Sequence, residues 1–195
     1  MRIRLTWLFA LTMIALILVT QSAWEHNTPL VAELLFVAAT LLVGIAVMGR
    51  LWCSVYIAGH KKKTLITYGP YSLCRNPLYF FSFLGAIGVG CATETLTIPA
   101  IIAIVFAAYY PWVIRREETA LAAIHGLEYD RYVRTVPRFF PQLKEVTETN
   151  TSTSNPIVLR RHLASAIWFI WFLGIAELVE AFHEAHYLPV WIAVY

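Results

Sequence analysis

The feature that most constrains this chain is a series of apolar runs near the length that a helix needs to cross a bilayer, about 20 residues. They are Leu5–Trp24, Leu30–Tyr56, Leu78–Ala92, Leu96–Ile114 and Leu163–Val179. The third run is short for a crossing, so it requires a tight turn on the far side, at Thr93–Thr97. We therefore predict an all-α integral membrane protein with about five transmembrane helices, forming a single membrane domain over residues 1–195.

Composition supports a membrane protein over a soluble domain. Hydrophobic residues make up 59% of the chain and charged residues 14%, whereas soluble domains have about half and a quarter. The formal net charge of +3 favours contact with anionic lipid headgroups, and we predict no nucleic-acid partner.

The positions of the basic residues predict the orientation. All 15 lysines and arginines fall within residues 2–4, 50–75 and 115–161, and none lies in 21–29, in 93–95 or after 181. With five crossings these stretches alternate between sides, and the basic ones belong in the cytoplasm. We predict a bacterial inner-membrane protein with its N-terminus inside and its C-terminus outside. Cleavage of the first run as a signal peptide is an alternative.

The segment after the fourth run changes character. Arg115–Pro141 predicts a helix that leaves the membrane, followed by a short amphipathic helix carrying Tyr129 and Tyr132, which lies at the cytoplasmic interface between the last two transmembrane helices. Residues 146–156 predict a polar linker. Residues 163–195 then form the last transmembrane helix and its outer end. The glycines of GAIGVG, at 85, 88 and 90, indicate close helix packing.

The chain contains two groups of possible metal ligands, and we predict that neither binds metal. Cys53, Cys74 and Cys91 lack the spacing of a metal site or of a disulfide framework. The last helix carries carboxylates and histidines that suit either a metal site or an exit into the outer interface, and we prefer the exit. They are Glu177, Glu180, His183, Glu184 and His186.

The stretch YGPYSLCRNPLYFF, residues 68–81, predicts a polar pocket. Pro77 suits the first turn of a helix, and its free amides beside Arg75 form an anion site. Aromatic faces come from Tyr68, Tyr71 and Tyr79, and Glu117 and Glu118 emerge on the same side after the hairpin. A ligand with a carboxylate, a cationic centre, a ribose and a base would match this set.

Three ordered motifs carry a resemblance over Tyr68–Pro141. They are GPYSLCRNPLY, REE, and G-x2-Y-x2-Y-x4-P-x3-P from Gly126 to Pro141. Together they resemble the membrane methyltransferases of the isoprenylcysteine carboxyl methyltransferase and phospholipid N-methyltransferase superfamily. The resemblance implies that residues 68–141 bind S-adenosylmethionine at the cytoplasmic face and that a lipid-like acceptor enters from the bilayer.

The resemblance also implies roles for residues. The family's R-H-P-x-Y motif falls on Arg75, Asn76, Pro77 and Tyr79, with Asn76 where histidine is usual. The family's paired glutamates fall on Glu117 and Glu118. Together with the aromatic residues of the pocket described above, the expected cofactor-binding residues are Tyr68, Tyr71, Arg75, Asn76, Pro77, Tyr79, Glu117 and Glu118. The chemistry of the residues themselves, and not the resemblance, gives the expected catalytic residues: Glu117 and Glu118 as carboxylates that accept a proton, and Arg138 as a charge that orients an acidic acceptor or a lipid phosphate.

Several functional alternatives stay open at this point. The acceptor is an isoprenylcysteine carboxylate, which is already ionised, or a phospholipid amine, which must lose a proton to Glu117, Glu118 or His125. A small thiol or hydroxyl compound is a third alternative. Arg138 orients an acidic acceptor or anchors to headgroups. An NADPH-dependent membrane reductase of the sterol type and a non-catalytic membrane scaffold are the alternatives to a methyltransferase.

Overall fold

The computed structural model describes residues 18, 20–24, 28–58, 64–149, 155–189 and 192–194. The chain is mostly helical, with one small sheet. In order, the elements are β1 (Thr20–Ser22), α1 (Pro29–Ile57), α2 (Pro70–Leu73), α3 (Pro77–Cys91), α4 (Thr97–His125), α5 (Leu127–Thr135), α6 (Pro156–Glu184) and β2 (Ile192–Val194). Proline opens α1, α2, α3 and α6, where its missing N–H has no intrahelical partner to lose.

Among the described residues, three helices are long and apolar enough to cross a membrane, namely α1, α4 and α6, and α3 is a shorter apolar helix. They coincide with four of the five predicted runs, so the all-α membrane fold is confirmed. At 15 residues, α3 is about 22 Å long, and the turn at Ala92–Glu94 returns the chain into α4. The tight turn that a short third crossing requires is therefore present.

The prediction for the first run is tested only at its end. Leu5–Trp24 lies mostly outside the described residues, but Thr20–Ser22 form a strand and not a helix, so the helical prediction is wrong there. This strand pairs in parallel with Ile192–Val194, and the Ser22 hydroxyl donates a hydrogen bond to the Glu94 carbonyl oxygen at 2.8 Å. Polar side chains at 20–22 favour these bonds over continuation of an apolar helix. The three stretches without lysine or arginine thus meet at one end of the bundle.

The central helix of the bundle is α3, which contacts α1, α4 and α6. Its glycines make this possible, as predicted. A Cβ on Gly88 would lie 3.0 Å from Leu42 Cβ and 3.1 Å from the Ala39 carbonyl oxygen of α1. A Cβ on Gly85 would meet Phe169 of α6 at 2.8 Å. Small residues at these positions let the helix backbones approach closely.

The helical exit and the short amphipathic helix are also present. A single 29-residue helix, α4, continues beyond the predicted span to His125. Gly126 then adopts φ +50° and ψ −123°, a conformation that only glycine adopts readily, and so separates α4 from α5. This break turns Tyr129 and Tyr132 inward, where both are buried with Val136 against Leu65 and Leu121.

The limits of the linker and of the last helix differ from the predicted ones. Residues 150–154 of the linker lie outside the described residues, and Pro156 begins α6. The Asn155 side chain caps this helix by accepting hydrogen bonds from the Ile157 and Val158 amides. Helix α6 is therefore longer than the predicted Leu163–Val179, because the cap fixes its start seven residues earlier.

Candidate functional site

The predicted site residues converge on the carboxylate of Glu118. Arg75 Nη2 lies 3.4 Å from Glu118 Oε1, and Arg138 Nη2 lies 2.8 Å from Glu118 Oε2. Asn76 Nδ2 donates to Glu118 Oε1 at 3.2 Å and to the Arg138 carbonyl oxygen at 2.9 Å. We call these four residues the arginine–glutamate network. It joins the start of α3, the exposed end of α4 and the loop after α5.

The network forms because two loops run side by side. The Arg75 amide donates to the Pro137 carbonyl oxygen at 2.8 Å, and the Gln142 amide to that of Leu73 at 3.0 Å. Further along, the Gly69 amide donates to the Thr147 carbonyl oxygen at 2.7 Å. Tyr132 of α5 also contributes a hydrogen bond, since its hydroxyl donates to the Tyr71 carbonyl oxygen at 2.7 Å. The segment after α5 is thereby fixed against α2 and its flanks.

Asn76, at the position where the resemblance leads us to expect histidine, has a clear structural use. Its one amide nitrogen serves both a carboxylate and a backbone carbonyl. A neutral histidine has a single N–H donor, so it could serve only one of them. Asn76 is buried and holds Glu118 and the Arg138 backbone together without carrying a charge.

The two adjacent glutamates differ in exposure. The Glu118 side chain is 16% exposed and is engaged by two arginines. Glu117 is exposed. It lies within electrostatic range of the Tyr71 hydroxyl, since it contributes to the raised pKa of that group after the larger effect of burial. The structure thus separates one braced carboxylate from one that faces solvent.

The predicted aromatic residues are placed in different surroundings. The Tyr79 ring packs edge-to-face against Tyr110 of α4, with ring centroids 5.4 Å apart. The Tyr68 ring packs against Tyr56 of α1, with ring centroids 5.7 Å apart. Pro77 is buried as the first residue of α3.

Sequence reasoning missed an aromatic cluster between α3, α4 and the loop after α5. Phe106 stacks on Tyr110 with ring centroids 3.7 Å apart. Phe139 packs near Phe80, Phe83 and Phe106, with centroids within 6.2 Å. Two features of the sequence could have indicated that this cluster adjoins the site. Phe139 follows Arg138 directly, and Tyr110 precedes Glu117 by seven residues, which is two helical turns.

Burial keeps the other titratable groups here neutral. It raises the pKa of the Cys74 thiol to about 12, and it raises the pKa values of Tyr129 and Tyr132 above the ordinary range for tyrosine. The charges at the site near neutral pH are therefore those of its arginines and glutamates. The network itself, with two arginines and one glutamate, carries a net positive charge.

The fold and this site define an integral membrane protein whose polar site joins a helical hairpin to the loop that follows it. A family model described as phospholipid methyltransferase matches residues 30–128. The chain belongs to this family of membrane methyltransferases, which confirms the superfamily resemblance seen in the motifs.

Two curated proteins are similar over most of the chain. The cobalt-zinc-cadmium resistance protein CzcN of Cupriavidus metallidurans is 39% identical over 92% of this chain and 82% of its own length. The nickel-cobalt-cadmium resistance protein NccN of Alcaligenes xylosoxydans xylosoxydans is 38% identical over 95% of this chain and 86% of its own length. No solved structure matches the chain.

The possible metal ligands near the end of α6 do not form a cluster among the described residues, where no group of three His, Cys, Asp or Glu could hold a metal ion. The side chain of Glu184 lies outside them. His183 is buried, and its Nε2 lies 3.1 Å from the Leu18 carbonyl oxygen.

Proposed function

We propose that this chain transfers a methyl group from S-adenosylmethionine to a lipid-like acceptor at the cytoplasmic face of a bacterial inner membrane. The observation that carries the proposal is the convergence of Arg75, Asn76 and Arg138 on Glu118. Residues 75 and 76 belong to one family motif and Glu118 to another, and the fold brings them together. Residues 68–141 are the proposed cofactor-binding core.

The residues present fit the cofactor. Arg75 Nε, Arg138 Nε and the Tyr129 hydroxyl are buried and have no hydrogen-bond partner among the described residues. The charges of Arg75, Arg138 and Glu118 all act on the Tyr129 hydroxyl, so these atoms share one neighbourhood. Donors with a net positive charge suit the cofactor's carboxylate. Exposed Glu117 suits its cationic groups, and the ring of Tyr79 suits its base.

The cofactor, when bound, supplies a sulfonium methyl group for an in-line displacement, which depends mainly on alignment. Arg75 and Arg138 would hold its anionic end. Glu118 fixes their two guanidinium groups, and Asn76 fixes Glu118 and the Arg138 backbone. The apolar cluster that contains Phe80 and Phe106 adjoins the site through Phe139, which follows Arg138, and would exclude water there.

The roles of Glu117 and of the acceptor are linked. Glu117 is the carboxylate with the freedom to accept a proton from an amine acceptor such as a phospholipid amine. An isoprenylcysteine carboxylate would require no such base. The names of the two relatives connect them with resistance to cobalt, zinc, cadmium and nickel. We propose that this chain modifies a membrane lipid in the same setting, and the proposal includes no metal site.

Cofactor binding is the direct test. Calorimetry on the detergent-purified protein would measure S-adenosylmethionine and NADPH binding to the wild type, Arg75→Ala, Glu117→Gln and the matched control Arg134→Ala, which changes an exposed arginine of α5. Losing one charge-assisted contact should weaken S-adenosylmethionine binding about tenfold or more in the first two variants and leave the control unchanged. NADPH binding in its place would favour the reductase. A folded protein that binds neither would contradict an enzymatic function.

The orientation has its own test. We expect alkaline phosphatase fused after residue 195 to be active outside the cytoplasm. The same reporter inserted within residues 144–149 should be inactive, because the surrounding stretch 115–161 holds eight lysines and arginines, which favour the cytoplasm. The reverse pattern would place the site on the outer face and contradict the proposed use of a cytoplasmic cofactor.

A further inference from the structure

Arg50 lies inside a membrane-spanning helix, seven residues before its end at Ile57. At 1.5 Å per residue, this is about 10 Å along the helix from that end. The buried residues Val43, Ala46 and Cys53 of α1 lie at helical spacing from it, so Arg50 occupies the inward face of α1. Its position in the chain predicts a side chain that extends to the cytoplasmic headgroups, but the guanidinium group is directed between helices instead.

Neutral groups hold the Arg50 guanidinium. Nη1 donates a hydrogen bond to the Ser82 hydroxyl of α3, and Nη2 donates to the Ser165 hydroxyl of α6 at 2.7 Å. The guanidinium carbon lies 5.5 Å from the centre of the Phe169 ring. Nε is buried without a hydrogen-bond partner, and no carboxylate among the described residues pairs with this arginine.

Arg75 and Arg138 differ from Arg50 in their partners. Arg75 and Arg138 share the carboxylate of Glu118, so part of their positive charge is balanced within the network. Arg50 retains an unbalanced positive charge at membrane depth, where ionisable residues usually face the bundle interior and mark a functional pathway. A neutral glutamine at this position could donate to one or both serines without that charge. Helix bracing alone therefore does not explain an arginine.

The guanidinium is accessible from the bilayer on one side. Arg50 is only half-buried, and Ser165, which accepts its Nη2 hydrogen bond, is exposed on α6. The same face of α6 carries the exposed Trp168, about one helical turn from Ser165. A lipid lying against α6 could therefore bring an anionic group to Arg50 without crossing the bundle.

Arg50 also lies near the candidate site. The hydroxyl groups of Tyr110 and Tyr71 both fall within electrostatic range of its guanidinium. Tyr110 packs on Tyr79, and Tyr71 lies within the electrostatic range of Glu117. These two tyrosines connect the intramembrane arginine with the exposed end of the bundle.

We propose that Arg50 is an intramembrane binding site for the anionic group, a phosphate or a carboxylate, of a lipid that enters from the bilayer beside α6. The planar guanidinium matches the oxygen geometry of both groups. This site is distinct from the arginine–glutamate network, and its existence does not depend on the identity of the cofactor.

The test measures lipid binding by native mass spectrometry on the detergent-solubilised protein. The probes are phosphatidylglycerol, oleate, inorganic phosphate and the uncharged lipid diacylglycerol. The variants are Arg50→Gln and Arg50→Lys, with Arg161→Gln as the matched control because it removes an exposed arginine at the start of α6. Calorimetry with S-adenosylmethionine is run on each preparation.

We expect Arg50→Gln to weaken binding of phosphatidylglycerol or oleate about 10- to 100-fold, the value of a charge-assisted contact. Arg50→Lys should keep part of the affinity, while diacylglycerol binding and Arg161→Gln should not change. Inorganic phosphate binding as tightly as the lipids would overturn the lipid source. Weaker S-adenosylmethionine binding in Arg50→Gln would assign Arg50 to the cofactor and overturn the proposal, whereas a wild type that binds lipid but no S-adenosylmethionine would contradict only the proposed function.

A second variant separates lipid binding from helix bracing. The double variant Ser82→Ala/Ser165→Ala removes both hydroxyl partners and keeps the charge. It should lose thermal stability yet keep the preference for anionic lipids over diacylglycerol. If it loses that preference to the same extent as Arg50→Gln, Arg50 serves only to brace the three helices.

Discussion

Replacing Glu118 by glutamine should destabilise the end of the protein that carries the arginine–glutamate network, because two arginines would lose the carboxylate that they share. The side chains of Arg75 and Glu118 are 12% and 16% exposed, whereas that of Arg138 is 35% exposed. Breaking a buried ion pair costs about 3–5 kcal/mol, and an exposed pair contributes at most about 1 kcal/mol. The pair with Arg138 is partly screened, and glutamine keeps an acceptor for Asn76, so we expect a loss of about 2–3 kcal/mol.

The three cysteines provide the assay. Cys53, Cys74 and Cys91 are all buried and unpaired in the folded protein, so a thiol-reactive dye reports unfolding during a thermal ramp in detergent. In a chain of this size 1 kcal/mol corresponds to roughly 2–4 °C, and Glu118→Gln should lower the midpoint by about 5–10 °C.

The adjacent residue is the matched control. Glu117→Gln makes the same chemical change at an exposed side chain, and the midpoint should move by no more than about 2 °C, in keeping with the small contribution of exposed charges. Equal shifts in the two variants would refute the idea that Glu118 is the brace of the site, whatever their size.

Two further predictions concern helix packing and pH. Gly88→Ala should lower stability by about 1–3 kcal/mol, because its Cβ would lie 3.1 Å from the Ala39 carbonyl oxygen. The control Gly44→Ala, whose Cβ would have nothing within 4 Å, should be neutral or slightly stabilising. Thermal midpoints measure both effects, and equal losses would contradict the close approach of α3 to α1. The pKa of Cys74 is raised from 9.0 to about 12, so its contribution to stability is fully present below pH 9 and lost as the pH rises towards 12. Cys74→Ala should therefore flatten the stability curve in that window, and a curve of unchanged slope there would exclude a contribution from this thiol.

The long apolar helices and the convergence of the motifs could be predicted from the sequence. Apolar runs fix α1, α3, α4 and α6, because length and hydropathy alone determine which segments can cross a bilayer. Since α3 and α4 form a hairpin, Arg75 and Glu118 had to lie at the same end. Pro77 at the start of α3 and the glycines of GAIGVG also behaved as their chemistry predicts.

The irregular parts were not predictable in the same way. Residues 69–75 pair with residues 137–147 through backbone groups. Because these segments have no side-chain periodicity, the sequence does not predict this pairing. The strand Thr20–Ser22 is three residues long, too short for a visible alternation. The inward direction of Arg50 depends on Ser82 and Ser165, which belong to two other helices and are informative only once their packing is known.

The two-stranded sheet has a consequence for the order in which the protein is made. Its strands are about 170 residues apart, between Ser22 and Ile192. At 5–20 residues per second, β1 therefore waits roughly 10–30 s on the ribosome for its partner. The contacts of the network span far shorter separations, 42 residues for Asn76 and Glu118 and 62 for Asn76 and Arg138. During synthesis the network can thus form before α6 is inserted, while the opposite end of the bundle closes only when translation is nearly complete.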